Sequence, residues 1–182
     1  MKHFYSFAVG LSLFLAATPL QAKVFYVTTT GTGDGSSWTK AFGSIDDALA
    51  KATSGDEIWI AAGTYKPTQL IKSSKKNSRH FPLKDGVSLY GGFAGTETTK
   101  EARAKKEGGE AYEYVHETIL SADDDVADEW VRESNPENPF SYGWKVENNI
   151  IPGTKNNANH ILFKKEELTA PITIDGLTLK GA

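Results

Sequence analysis

The chain has 182 residues, with 20 Lys plus Arg, 23 Asp plus Glu and a formal net charge of −3. It contains no cysteine, which excludes disulfides, Cys-ligated zinc, iron–sulfur clusters, thiol catalysis and a Cys-linked lipid anchor. Hydrophobic residues at 39% and charged residues at 24% mark a globular chain, and the near balance of charge lacks the basic stripe of a nucleic-acid binder.

Residues 1–22 read as a signal peptide. Lys2 and His3 precede an apolar run from Phe4 to Ala17, and Pro19 and Ala22 supply a helix break and a small residue before the cut. The run is shorter than the ~20 residues that span a bilayer. Cleavage after Ala22 leaves residues 23–182 with a charge of −4. No second apolar run follows, so the expected product is exported, with no transmembrane segment after cleavage; its location is extracellular, cell-surface or periplasmic.

Lys23 to Thr29 favours a strand by its Val, Phe, Tyr and Thr content. Gly31, Gly33 and Gly35 follow in a turn-rich loop. Their spacing does not match a phosphate-binding loop, and Trp38 to Phe42 intervene before any helix. Ser44 then caps a helix of about ten residues, with Asp47 completing a capping box. Ile45, Ala48, Leu49 and Ala52 form its apolar face.

Asp56 to Ala61 is the next strand, with Ala62 to Pro67 ending it. Ser73 to Arg79 is a polar, basic loop. Val87 to Tyr90 and Thr118 to Ser121 are further strands. Between them Phe93 to Thr99 is turn-rich, and Lys100 to Glu113 is charged, helical or loose. Residues 122–157 are the longest irregular stretch, an inserted functional loop or a local fold built on its aromatic residues. His160 to Phe163 and Pro171 to Leu179 return to strand character, the latter with a phase slip at Asp175-Gly176 that marks a turn or bulge. One helix among many short, glycine-punctuated strands allows a sandwich, a barrel or a solenoid.

An ordered series of segments narrows that choice. It comprises Tyr26-Val27 before Gly33 to Trp38, Ser44 to Leu49, Gly55 to Tyr65, Val87 to Phe93, Gly95 to Glu97, Thr118 to Ser121 and Ile174 to Leu179. Together they resemble the N-terminal end of a bacterial right-handed parallel β-helix of the pectate-lyase-like superfamily, of the polymorphic-outer-membrane-protein type. The resemblance implies an all-β fold, the N-terminal part of a right-handed parallel β-helix with a short amphipathic capping helix. Such proteins usually continue through many coils, so a truncated chain is expected.

Chemistry is less legible. Asp123, Asp124, Asp125, Asp128 and Glu129 crowd five acids into seven residues. Asp123, Asp125 and Asp128 are candidate calcium ligands, with a solvated acidic loop as the alternative. Trp130, Tyr142 and Trp144 are candidate ligand-binding aromatics in the long loop, able to stack on a sugar or to dock a partner. Trp38 and Trp59 read as packing under the cap helix, and Asp175 as a turn acid. His80, His116 and His160 lack metal-ligand spacing. No lyase or hydrolase pairing of residues is present. The expectation is a non-catalytic, secreted or cell-surface, adhesin-like scaffold that contacts polysaccharide or surface proteins. The alternative is a fragment of a polysaccharide lyase or glycoside hydrolase.

Overall fold

A computed structural model describes residues 22–123, 125 and 157–181; the expected signal peptide, apart from Ala22, lies outside them. The described chain is mostly strand. It runs β1 (Val24–Val27), α1 (Ile45–Lys51), β2 (Glu57–Ala61), β3 (Gly63–Tyr65), β4 (Gln69–Leu70), β5 (Arg79–Pro82), β6 (Ser88–Phe93), β7 (Thr118–Ser121), β8 (Leu162–Phe163), β9 (Ile174–Asp175) and β10 (Leu177–Lys180). Among the described residues no helix is long and apolar enough to cross a membrane.

The strands form three small sheets. The first has the order β1-β2-β6-β9 and is parallel throughout. The second, β3-β7-β10, is also parallel. In the third, β4 pairs antiparallel with β5, and β5 pairs parallel with β8. The chain visits the three sheets in a repeating order: β2, β3 and β5, then β6, β7 and β8, then β9 and β10.

Register sets the core. Phe25, Ile58, Leu89 and Ile174 align as one row across the first sheet, and Val27 aligns with Ile60 beside it. Alternation along a strand sends these residues to one face and their neighbours to the other. Val27, Ile58, Ile60, Leu89 and Leu120 are fully buried in a single cluster, joined by Tyr65 and Phe81.

Helix α1 closes one end of that core, with Ile45, Ala48 and Leu49 buried against it. The Ser44 hydroxyl accepts from the Asp47 amide at 3.0 Å and donates to the Asp47 carboxylate at 3.1 Å; this is the N-cap half of the expected capping box, with the carboxylate bonded to the Ser44 hydroxyl where a full box would use its backbone amide. The helix has seven residues rather than ten. Ala52 turns extended, and Asp56 then accepts from the Thr53 amide and hydroxyl, both within 2.9 Å, and from the Lys23 amide at 2.8 Å. The Lys84 ammonium finishes the helix, donating to the carbonyls of Leu49 (2.9 Å) and Ala52 (2.6 Å), where the helix dipole favours a cation.

The glycine-rich loop has a structural role. It doubles back along β1, with hydrogen bonds Tyr26 N to Gly35 O (3.0 Å), Thr28 N to Phe42 O (3.0 Å) and Phe42 N to Tyr26 O (2.9 Å). The two arms approach so closely that a Cβ on Gly33 would lie 2.3 Å from the Lys40 carbonyl oxygen.

Candidate functional site

The outer face of the first sheet carries a second row in register: Tyr26, Trp59, Tyr90 and Asp175. Trp59 is buried by a stacked Phe93 (4.8 Å between centroids, 13° between planes). Tyr26 packs edge-on to both Trp38 (4.8 Å) and Trp59 (5.7 Å). Trp38 and Trp59 are thus packing residues, but on the outer face, opposite the Ile58 and Ile60 side that α1 covers. The alternation of β2 requires this, since Trp59 lies between those two inward residues.

Residues 94–117, between β6 and β7, are folded against this outer face. The Glu97 carboxylate accepts from the amides of Ala94 (2.6 Å), Gly95 (3.0 Å) and Thr96 (3.0 Å). Burial pushes its pKa up, but these amides outweigh burial and hold it below the ordinary value. The Glu97 carbonyl accepts from the Trp38 indole at 2.8 Å. Lys100 pairs with Glu57 at 2.5 Å and lies 4.4 Å from the centre of the Tyr90 ring; the bond to Glu57 raises its pKa.

Arg103 is the central anchor. Its buried guanidinium donates to the Lys100 carbonyl (2.8 Å), the Gly91 carbonyl (2.9 Å) and the Asp175 carboxylate (2.7 Å). It also lies 5.2 Å from the Phe93 ring centre and 4.2 Å from that of Tyr114. The Tyr114 hydroxyl donates to the same Asp175 oxygen at 3.1 Å. Burial raises the pKa of this phenol against the opposing charge of Arg103. Gly92 makes room for the Tyr114 ring: its φ is +86°, and a Cβ there would meet ring atoms at 2.6 Å.

The segment expected to be helical or loose forms a short 3₁₀ turn, Lys100–Ala102. A hairpin-like pairing follows, with Lys106 N to Glu113 O at 3.0 Å and Val115 N to Ala104 O at 2.8 Å. Between this hairpin and the β9–β10 corner lies a groove of about 500 Å³, lined by Tyr112, Tyr114 and Glu117 on one side and by residues 174–178 on the other. The Thr178 hydroxyl donates to Glu117 across it at 3.0 Å.

The candidate calcium ligands are partly described. Asp123 accepts from the Asp125 amide at 2.8 Å, and Asp125, which has a positive φ, pairs with Lys66. Calcium takes about six to eight oxygens, and the ammonium already at Asp125 opposes a second cation. Asp128 lies outside the described residues, as do Trp130, Tyr142 and Trp144. Among the described residues no group of three or more His, Asp or Glu is placed to hold a metal ion. His160 is exposed and stacks on Phe163, whereas His80 is buried edge-on to the same ring.

Sequence reasoning missed Arg103 and Tyr112 as site residues. Arg103 meets Asp175 across 72 positions, which leaves no local pattern. Tyr112 and Tyr114, alternating within a charged run, are the one visible signal. No family model matches the chain, and no curated protein or solved structure matches it.

Proposed function

We propose that the chain is an exported, non-catalytic scaffold, the capped N-terminal part of a right-handed parallel β-helix, which contacts glycans or proteins through the loops it carries. The observation that supports the coil is the repeating visit to three sheets with parallel pairing kept across each return. A parallel return to the same sheet is right-handed in about 98% of cases. The winding also tolerates additions, since residues 94–117 hang outside it while β6 and β7 keep their pairings. The β2–β6 register shifts by one residue between Trp59 and Ala61, yet the parallel pairing persists to Phe93, and a fold that keeps its pairings beneath a large excursion is suited to presenting loops. Export rests on residues 1–22, and the polar, mildly acidic mature chain suits an uncharged or basic partner better than nucleic acid.

The test is to express the full chain with its N-terminal segment in a bacterial host and recover it after export. N-terminal sequencing should begin at Lys23. The recovered protein should bind at least one immobilised polysaccharide or purified surface protein, and release no reducing or unsaturated sugar. Cleavage of any polysaccharide would replace the scaffold reading with the lyase or hydrolase alternative.

A further inference from the structure

We propose that the groove between the hairpin and the β9–β10 corner binds a neutral hexose oligosaccharide, with Tyr112 as the platform on which a sugar ring stacks. The inference rests on the glycan-contacting part of the proposed function and gives it a site and a ligand class.

The groove volume of about 500 Å³ lies within the ~300–1,000 Å³ usual for small-ligand sites. Its two tyrosines differ. Tyr114 is buried, with Arg103 4.2 Å and Lys105 5.0 Å from its ring centre, so its ring is engaged by cations. Tyr112 is 68% exposed. An aromatic face of this kind gains most by covering the C–H face of a sugar ring, which is apolar while its rim of hydroxyls is polar. Ile174 and Leu177 line the same groove and extend the apolar floor.

The polar lining suits hydroxyls. Glu113 and Glu117 accept, Lys106 donates, and the Thr178 oxygen, whose proton goes to Glu117, accepts. Charge narrows the class. The charge of Asp175 is answered by Arg103, and Glu113 and Glu117 are balanced by Lys106 and by Lys105, whose ammonium lies against Tyr114, so the groove carries no net charge. A groove without surplus positive charge gives uronates and phosphosugars no counterion for the water they would lose, and neutral hexoses need none. The base of the platform is also held in advance of binding, since Arg103 fastens the hairpin to Gly91 and Asp175. Part of the ordering that would otherwise oppose binding is thus already made.

The experiment is isothermal titration of the full chain with maltohexaose, cellohexaose and mannohexaose. Hexagalacturonate serves as the anionic counterpart, and an uncharged extended hexapeptide as a competitor for the strand edge. At least one neutral hexaose should bind, and hexagalacturonate should bind more weakly. Tyr112→Ala, at an exposed position, should weaken the neutral sugar by about tenfold or more, while Tyr112→Phe stays within about twofold. The inference is overturned if no neutral hexaose binds, if Tyr112→Ala leaves the affinity unchanged, or if hexagalacturonate or the peptide is the tighter ligand. Any of these results leaves the scaffold reading standing if the wild-type chain still binds a glycan or surface protein elsewhere. That reading falls on polysaccharide cleavage, which this titration does not measure.

Discussion

The two ends of the molecule manage the same problem differently. At the β1 end, the strand edge is bonded to residues 31–42 and the core is covered by α1. At the β9–β10 end no further strand pairs among the described residues, Ile174 is 43% exposed and Leu179 is 53% exposed. Yet Ile174 stands in the same row as the fully buried Ile58 and Leu89. Register alone therefore does not bury a residue; a covering layer does. At the first end that layer is mostly irregular chain, whose glycines allow backbones to approach and satisfy an edge.

The contrast is most sharply tested by one covered and one exposed leucine. Leu89→Ala should destabilise by roughly 2–5 kcal/mol, whereas Leu179→Ala at the open end should stay within about 0.5 kcal/mol. Urea unfolding measures both, and equal effects would mean that the open end is buried in solution. Next comes the anchor near that end. Arg103→Ala removes the partner of a partly buried carboxylate and should cost about 3 kcal/mol. Hydrogen exchange of residues 104–115 should rise well before global unfolding.

A smaller effect is expected at the covered edge. Gly33→Ala places a methyl against the Lys40 carbonyl and should cost roughly 1–3 kcal/mol. Faster exchange of the Tyr26 and Thr28 amides would locate the damage at β1, and unchanged exchange would show that the loop is not what covers it.

The smallest effects are pH-dependent and opposite in sign. Asp46, buried on α1, accepts from the Thr68 amide (2.9 Å) and hydroxyl (2.5 Å). Burial outweighs these bonds and raises its pKa above 3.8. The folded state then holds the proton more tightly, so this group's contribution to stability falls as pH rises from 3.8 through the raised value. Asp46→Asn should thus raise the urea midpoint slightly at pH 7, with the gain vanishing in acid. At Asp56, burial also pushes upward, but the bonds from Thr53 and Lys23 prevail and lower the pKa. That stability is present above 3.8 and is lost as pH falls through the lowered value. Asp56→Asn should therefore destabilise at pH 7, with the difference shrinking as the pH falls. Variants that shift together would show that one of the two hydrogen-bond sets is misassigned.

Local chemistry was legible in the sequence. β-Branched and aromatic runs marked Thr118–Ser121 at its observed bounds, and the Asp175-Gly176 slip is the break between β9 and β10. The Ser44 N-cap was visible because all its atoms lie within four residues. The sequence of Gly63-Thr64-Tyr65 predicts a strand ending, yet it forms β3, because pairing with β7, more than 50 positions later, outweighs the weak strand tendency of glycine. The aromatic face was misplaced for the same reason: composition shows that Trp59 is buried, not which side buries it. Of the candidate ligands, only Asp123 and Asp125 fall within the described residues, and the groove with Tyr112 is assembled by contacts between distant segments.

The Lys84 side chain, which completes α1 by bonding to Leu49 and Ala52, also imposes an order of events. A chain emerging from its N-terminus presents the helix sequence more than 30 residues before the side chain that finishes it. A seven-residue helix is too short to persist alone in water. The cap therefore waits until the chain has been made through Lys84, and the end of the molecule made first is not the first part to become firm.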